Sequence, residues 1–378
     1  MKNLNNEIID RIHVELGTVI DPELRRPLPE LGMIESVIFA KGIAQVKVLL
    51  TISGCPMRDR LRNDVEAALA RIEEVKKVDL EFGVMNDEQR NNVKKLLHGG
   101  VEKVITFAQP DSLTRVIGIA SGKGGVGKSS LTVNLAVAAA ARGLKVGILD
   151  ADVYGHSIPR LMNLVGQRPT AIDQTFIPLE SYGVKVVSME MFKPDRSDPV
   201  AYRGPLLHKV LEQLLSDAYW GDLDLLLLDL PPGTGDIAIS LGQLIPGSEI
   251  MVVTTPQIAA AEIAERAGRI AHQLKQHIVG VIENMSDINC PDCGASISLF
   301  GSGGGAETAK RLSTLVGGDV PLLETVPFDP ALRVGGDDGE PIVLSAPESH
   351  ASLAIYSIVD QLMKQRKSLV GVPLSLHT

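Results

Sequence analysis

Cysteine is scarce in this chain, with 3 in 378 residues, so a disulfide scaffold is excluded. An excess of basic charge is missing too. The formal net charge of −9 speaks against nonspecific binding to nucleic acid. No apolar run reaches the roughly 18 residues of a membrane span, and Met1-Lys2-Asn3-Leu4-Asn5-Asn6 lacks the apolar core of a secretion signal. The 8 histidines form no ligand-spaced cluster. These absences lead us to expect a cytoplasmic protein with no nucleic-acid partner and no stable membrane association. The remaining composition, 44% hydrophobic and 22% charged, is that of an ordinary globular protein of two or three domains.

The most informative stretch that is present is Ser121-Gly122-Lys123-Gly124-Gly125-Val126-Gly127-Lys128-Ser129-Ser130. An apolar run, Val116 to Ala120, leads into it, and an alanine-rich helical pattern, Leu131 to Ala141, leads out. It satisfies G-x(4)-G-K-[ST] in the strand-to-helix context that a phosphate-binding loop requires. Glycines at 122, 124, 125 and 127 allow backbone N–H groups to turn inward on an anion at a helix N-terminus. The expected nucleotide contacts are Gly122, Gly124, Gly125, Val126, Gly127, Lys128, Ser129 and Ser130. Lys128 reaches the β- and γ-phosphates, and Ser129 ligates Mg²⁺. Lys123 is superfluous to an ordinary loop of this kind, which suggests that it serves a partner subunit.

Strands and helices alternate from Arg115 onward. Candidate strands are Val116–Ala120, Lys145–Leu149, Lys185–Met189, Leu223–Leu228, Ile250–Thr254, Ile278–Glu283 and Val320–Leu323. The fold class expected is α/β, a mostly parallel sheet covered by helices on both faces, with ligands at the carboxyl ends of the strands. Asp229 ends the run Leu225–Leu228 and is expected to hold Mg²⁺ directly or through water. The following Pro231-Pro232-Gly233-Thr234-Gly235-Asp236 makes a stiff turn able to sense a γ-phosphate. Two further carboxylates follow an earlier strand of the chain, in Asp150-Ala151-Asp152-Val153-Tyr154-Gly155-His156. Asp152 is the candidate to orient or deprotonate the attacking water; Asp150 is left between helix capping and indirect support of Mg²⁺.

Residues 1–85 read as a small α+β domain. Its helix runs through Ile8, Ile12 and Leu16, strands follow at Met33–Phe39 and Ile43–Ile52, then a helix at Arg58–Ile72 and a strand at Val75–Phe82. Cys55, in Gly54-Cys55-Pro56, stands before a helix start, where a helix dipole can lower a thiol's pKa; from its position it is equally a small buried apolar residue. Residues 86–114 read as a polar linker with a short helix at Val93–Leu97, residues 115–365 as the nucleotide-binding domain, and 366–378 as a tail. Trp220 is expected at the sheet edge. The late pattern of Leu353, Ile358, Leu362 and Met363 is expected to be a helix covering the core.

Cys290-Pro291-Asp292-Cys293-Gly294 is a C-x-x-C knuckle whose two thiolates point the same way. Two sulfurs leave a tetrahedral S₄ site half complete, and a symmetric homodimer supplies the other pair. Four thiolates suit Zn²⁺ and an iron–sulfur cluster alike; a redox dithiol is the remaining reading, ranked lower because it would not require the dimer that Lys123 suggests.

Taken together, Gly122–Ser129 with Lys123, Asp150–Gly155, Arg203-Gly204-Pro205, Trp220–Asp224, Asp229–Asp236 and Asn284-Met285 before the knuckle resemble the Mrp-type iron–sulfur cluster carriers, a branch of the deviant Walker A P-loop ATPases. Asp21-Pro22-Glu23-Leu24 and Gly54-Cys55-Pro56 resemble the small iron–sulfur assembly domain. The resemblance implies a slow, Mg²⁺-dependent ATPase that carries a transient [4Fe-4S] cluster between Cys290 and Cys293 of two subunits. It implies cluster scaffold proteins and apo recipient proteins as partners, and adenine contacts from Asn284 and from the loop at Pro327. His156 stands where that family usually has proline. A positioning ATPase of the ParA/MinD kind and an electron donor like nitrogenase reductase are the alternatives.

Overall fold

The computed structural model describes residues 2–51, 57–97, 104–152, 155–172, 175–193, 204–233, 236–289, 293 and 295–364. The chain divides into two compact units, residues 1–104 with 170–177, and residues 105–169 with 178–378. The division at 104/105 falls within the stretch expected to be a linker, and a hairpin from the later sequence belongs to the first unit. Cys55 and the tail beyond residue 364 lie outside the described residues.

In the first unit, helix α1 (Lys2–Leu16) is followed by strands β1 (Ile34–Ala40) and β2 (Ile43–Leu50), helix α2 (Arg58–Leu69), strand β3 (Lys77–Val84) and helix α3 (Asp87–Leu97). β1 and β2 pair antiparallel, whereas β2 and β3 pair parallel. Alternation along β2 buries Ala44, Val46 and Val48. Ile12 and Leu16 of α1 and Leu61, Val65 and Leu69 of α2 are buried as well. Asp21 tightens the turn after α1, its Oδ1 accepting the N–H groups of Glu23 at 2.9 Å and Leu24 at 2.7 Å. Burial nevertheless raises its pKa above the usual carboxylate range.

α3 is longer than the helix expected at Val93–Leu97. The polar run read as linker is instead its first turn, closed by reciprocal capping. Asn86 Oδ1 accepts from the N–H of Gln89 at 2.8 Å, and Gln89 Oε1 accepts from the N–H of Asn86 at 2.9 Å. The hairpin of strands β6 (Thr170–Ile172) and β7 (Thr175–Ile177) completes the unit, and Thr170 Oγ1 donates to Glu23 at 2.8 Å.

The second unit begins with strand β4 (Arg115–Ser121), helix α4 (Lys128–Ala141), strand β5 (Val146–Asp150) and the short helix α5 (Ile158–Leu161). Strands β8 (Leu179–Ser181) and β9 (Val184–Ser188) precede helix α6 (Gly204–Ser216), strand β10 (Leu225–Asp229), helix α7 (Asp236–Leu244), strand β11 (Glu249–Thr254), helix α8 (Ile258–Gln273) and strand β12 (His277–Asn284). A small hairpin, β13 (Ile288–Asn289) with β14 (Ser296–Ile297), is followed by helix α9 (Gly304–Val316), strand β15 (Leu322–Val326) and helices α10 (Pro330–Asp338), α11 (Ile342–Ser345) and α12 (His350–Lys364).

The main sheet has the order β15-β12-β11-β4-β10-β5-β9-β8, parallel throughout except at β8. Every residue of β4, β5 and β10 is buried, as strands covered on both faces must be. α4 is buried along most of its length and packs within the core that includes Ile355, Ile358 and Leu362 of α12. The order brings the ends of β4, β10 and β5 side by side. In register, Asp229 pairs with Ile119 on one flank and with Asp150 on the other.

Trp220 lies against an interior strand and not at the sheet edge. A side chain at Gly147, in the middle of β5, would meet its Cζ3 at 2.9 Å. Phe107 contacts its ring edge-to-face at 6.2 Å, and its Nε1 donates to the Leu214 carbonyl at 3.3 Å. On α12 Ile358 and Leu362 are buried as expected and Ile355 joins them, while Leu353 is 51% exposed. Ile355→Ala is therefore expected to cost about 2–5 kcal/mol in chemical denaturation; Leu353→Ala stays within about 0.5 kcal/mol.

Candidate functional site

The glycine-rich loop leaves β4 and enters α4 through two left-handed residues, Gly125 and Gly127, both with φ +80°. These are the glycines whose backbone conformation excludes other residues. Gly122 is constrained differently, since a Cβ there would lie 2.5 Å from the Ala264 nitrogen and the Ile263 carbonyl carbon of α8. Gly124 has room for a side chain, so its freedom is not a geometric requirement. A Cβ at Gly127 would strike Asn284 Nδ2 at 2.3 Å. That amide donates to the Val126 carbonyl at 2.8 Å, tying the loop to the end of β12, and the Val126 side chain is itself buried.

Asp229 is the centre of a buried polar cluster. Lys128 Nζ lies 2.6 Å from its Oδ1, Thr132 Oγ1 donates to the same oxygen at 2.9 Å, and Ser129 Oγ donates to Oδ2 at 2.6 Å. Asp229 has no solvent exposure and Lys128 only 7%. A pair this deep is satisfied only because the second oxygen and the hydroxyls are also matched. On the neighbouring strand Asp150 is fully buried, with Oδ2 accepting from Ser188 Oγ at 3.0 Å and Oδ1 from the Asp152 N–H at 3.2 Å. Its pKa is raised well above the ordinary carboxylate value, first by loss of solvent and then by the like charge of Asp229.

The remaining predicted groups surround this cluster. Asp152 is half-buried, and its Oδ1 accepts the Gly155 N–H at 3.0 Å, closing the turn in which it sits. The Gly233 N–H donates to the Ser121 carbonyl at 2.8 Å, fastening the turn after Asp229 beside the glycine-rich loop. Lys123 Nζ donates to Gln257 Oε1 at 2.7 Å, at the head of α8. Asn284 and Val326 are register partners on β12 and β15, so Pro327 follows directly on the strand beside Asn284. Val153, Tyr154, Arg203, Thr234 and Gly235 lie outside the described residues.

Three residues past Asn284, Asp287 clasps the base of the β13–β14 hairpin. It accepts from Ser296 Oγ at 2.7 Å and Ser298 Oγ at 2.6 Å, which hold its pKa below the usual range. Cys293 lies exposed between these two strands, and Cys290 is outside the described residues. Thr132, Ser188, Gln257 and the Asp287 serines went unnoticed in the sequence. Thr132 was legible, because it falls one helical turn after Lys128; Ser188 and Gln257 are brought in from distant elements, and the Asp287 serines by the closing of the β13–β14 hairpin.

Comparison with known proteins decides the family. Residues 112–363 match the model of the NUBPL iron-transfer P-loop NTPases, and residues 9–80 match that of an iron–sulfur cluster assembly protein. The chain belongs to the iron-transfer P-loop NTPases. The iron–sulfur cluster carrier protein of Mycobacterium tuberculosis is 54% identical over 367 residues, 97% of this chain and 96% of that protein. The corresponding protein of Deinococcus radiodurans is 40% identical, covering 93% of each chain. Among solved structures, the nucleotide-binding protein of Archaeoglobus fulgidus in complex with ADP is 35% identical with a TM-score of 0.53, over 63% of this chain and 90% of that one.

The residues present in this iron-transfer NTPase fit a purine nucleotide with Mg²⁺. Asn284 Oδ1 is buried and has no hydrogen-bond partner, an acceptor suited to the exocyclic amino group of adenine. Ser129 and Asp229 are hard oxygen donors already in contact, which is the ligand chemistry Mg²⁺ prefers.

Asp150 also sets a pH dependence. Because it holds its proton to higher pH in the native state than in the unfolded chain, where Asp titrates near about 3.9, stability falls as pH rises from there through the raised native pKa. Asp150→Asn removes the like charge beside Asp229. Its melting temperature should exceed that of the unmodified protein by an amount that widens as pH rises above the ordinary carboxylate range and reaches a few degrees; a pH-independent difference would contradict the assignment.

Proposed function

We propose that this chain is an ATP-dependent carrier of iron–sulfur clusters that works as a homodimer in the cytoplasm. It takes a [4Fe-4S] cluster as cargo from scaffold proteins and delivers it to apo recipient proteins. The observation that carries this reading is the spacing along one strand end. Asn284 bonds the nucleotide loop through Val126, and Asp287, three residues later, clasps the hairpin between whose strands both cysteines fall in the sequence. A change at the nucleotide loop thus reaches the cysteines through a few covalent bonds. The iron–sulfur cluster carrier names of the relatives support the same cargo.

The residue roles follow from chemistry and position. The loop from Gly122 to Gly127, with Ser129 and Ser130 at the helix start, cradles the phosphates, and Asn284 and Pro327 flank the adenine. Lys128 exchanges Asp229 for the β- and γ-phosphates. Ser129 and Asp229 would hold Mg²⁺, whose charge neutralises the phosphate oxygens. Asp152 orients a water whose oxygen attacks the γ-phosphorus; the bond to the β–γ bridging oxygen breaks, giving ADP and inorganic phosphate. Lys123 contributes from one subunit to the nucleotide of the other, so hydrolysis is slow in a lone subunit. Cys290 and Cys293 from both subunits supply four thiolates for the cluster.

Two measurements test this reading. Lys128→Ala is expected to lose nucleotide binding and ATPase activity; unchanged turnover would overturn the phosphate-loop roles. After anaerobic reconstitution, about four irons and four sulfides per dimer are expected from four-thiolate ligation, lost together in Cys290→Ala/Cys293→Ala. Stoichiometric zinc with no reconstitutable iron would replace the carrier reading by a zinc-clasped ATPase dimer.

A further inference from the structure

Lys123 is secured at both its backbone and its side chain. Its carbonyl accepts from Ser121 Oγ at 3.1 Å, and its ammonium donates to Gln257 Oε1 at 2.7 Å. The same amide oxygen accepts Thr255 Oγ1 at 3.0 Å, which fixes the amide's orientation. The acceptor is anchored from behind as well. The Gly304 N–H at the head of α9 donates to the Pro256 carbonyl at 3.0 Å, and a Cβ on Gly304 would lie 2.5 Å from the Thr255 carbonyl oxygen. The turn Thr255-Pro256-Gln257 is therefore rigid, and the long lysine side chain is the part free to move.

We infer that Gln257 is a positioning residue, a latch that keeps Lys123 on its own chain until the nucleotide of a second copy competes for the ammonium. The inference rests on the reading that Lys123 acts across the dimer. A neutral amide is well matched to such a latch, because it holds the ammonium against water yet yields to a polyanion, whose hydrogen bonds to a cation are charge-assisted on both sides. A triphosphate presents more charge than a diphosphate, so the latch sets a threshold that ATP passes more readily than ADP. It also links that threshold to α9, which follows the cysteine hairpin in the chain and rests on the same turn.

The test is ATP-dependent dimerisation of the full chain, followed by sedimentation, with three variants. Gln257→Leu removes the acceptor and should lower the ATP concentration for half-maximal dimer about tenfold, the size expected for one hydrogen bond to a charged group. Gln257→Glu keeps the shape and adds a charge, so it should raise that concentration, by an amount that shrinks in high salt. The shift falls on the ATP requirement and not on the maximal turnover rate. Shifts in the same direction for both variants, or no shift, would overturn the latch; if Gln257→Leu does not fold, the sign and salt dependence of Gln257→Glu decide alone. Lys123→Ala separates the two levels of inference. If it dimerises with ATP like the unmodified protein, the action of Lys123 across the dimer is wrong; if it fails to dimerise while the Gln257 variants behave like the unmodified protein, only the latch is.

Discussion

The buried ion pair between Lys128 and Asp229 is the interaction on which the rest of the second unit depends. Two carboxylates, Asp229 and Asp150, end adjacent strands in register, and both are withdrawn from water. Such a pair is tolerable only with a cation beside it and hydroxyl donors on the remaining oxygens. Lys128, Ser129 and Thr132 supply these to Asp229, and Ser188 supplies one to Asp150. In the proposed mechanism phosphate competes for the same lysine, so binding a nucleotide redistributes charge at the centre of the sheet.

That redistribution has two physical routes outward. One runs from the loop through the Val126 carbonyl to Asn284 and along the chain to Asp287 and the cysteine hairpin. The other runs from Lys123 through Gln257 to the turn on which α9 rests. Both end next to the β13–β14 hairpin or the helix that follows it. An arrangement in which one route reaches the cysteine hairpin and the other the helix that follows it favours a carrier over an ATPase whose output is a membrane or DNA surface.

Much of this was legible in the residues themselves. Buried parallel strands are nearly continuous apolar runs, so all seven expected strands of the main sheet overlap their observed positions, with ends off by three residues at most. The phosphate loop was equally plain because its motif, strand and helix agree. Illegible features depend on packing between distant segments: Gly122 is required by α8, Trp220 by the middle of β5, and the antiparallel edge strand β8 by pairing with β9. The first half of α3 was missed for a different reason. Its polar surface resembles a linker, although Asn86-Asp87-Glu88-Gln89 already carries a capping box. The individual roles of the four loop glycines were likewise indistinguishable until the backbone angles and neighbours were known.

The coupling of nucleotide to cargo is tested most directly by the rate at which a reconstituted cluster passes to an apo acceptor protein, measured with and without MgATP. The unmodified protein should transfer at rates that differ several-fold between the two conditions, and Lys128→Ala should transfer at one rate in both. Equal rates for the unmodified protein with and without MgATP would show that the nucleotide site and the cysteine hairpin act independently.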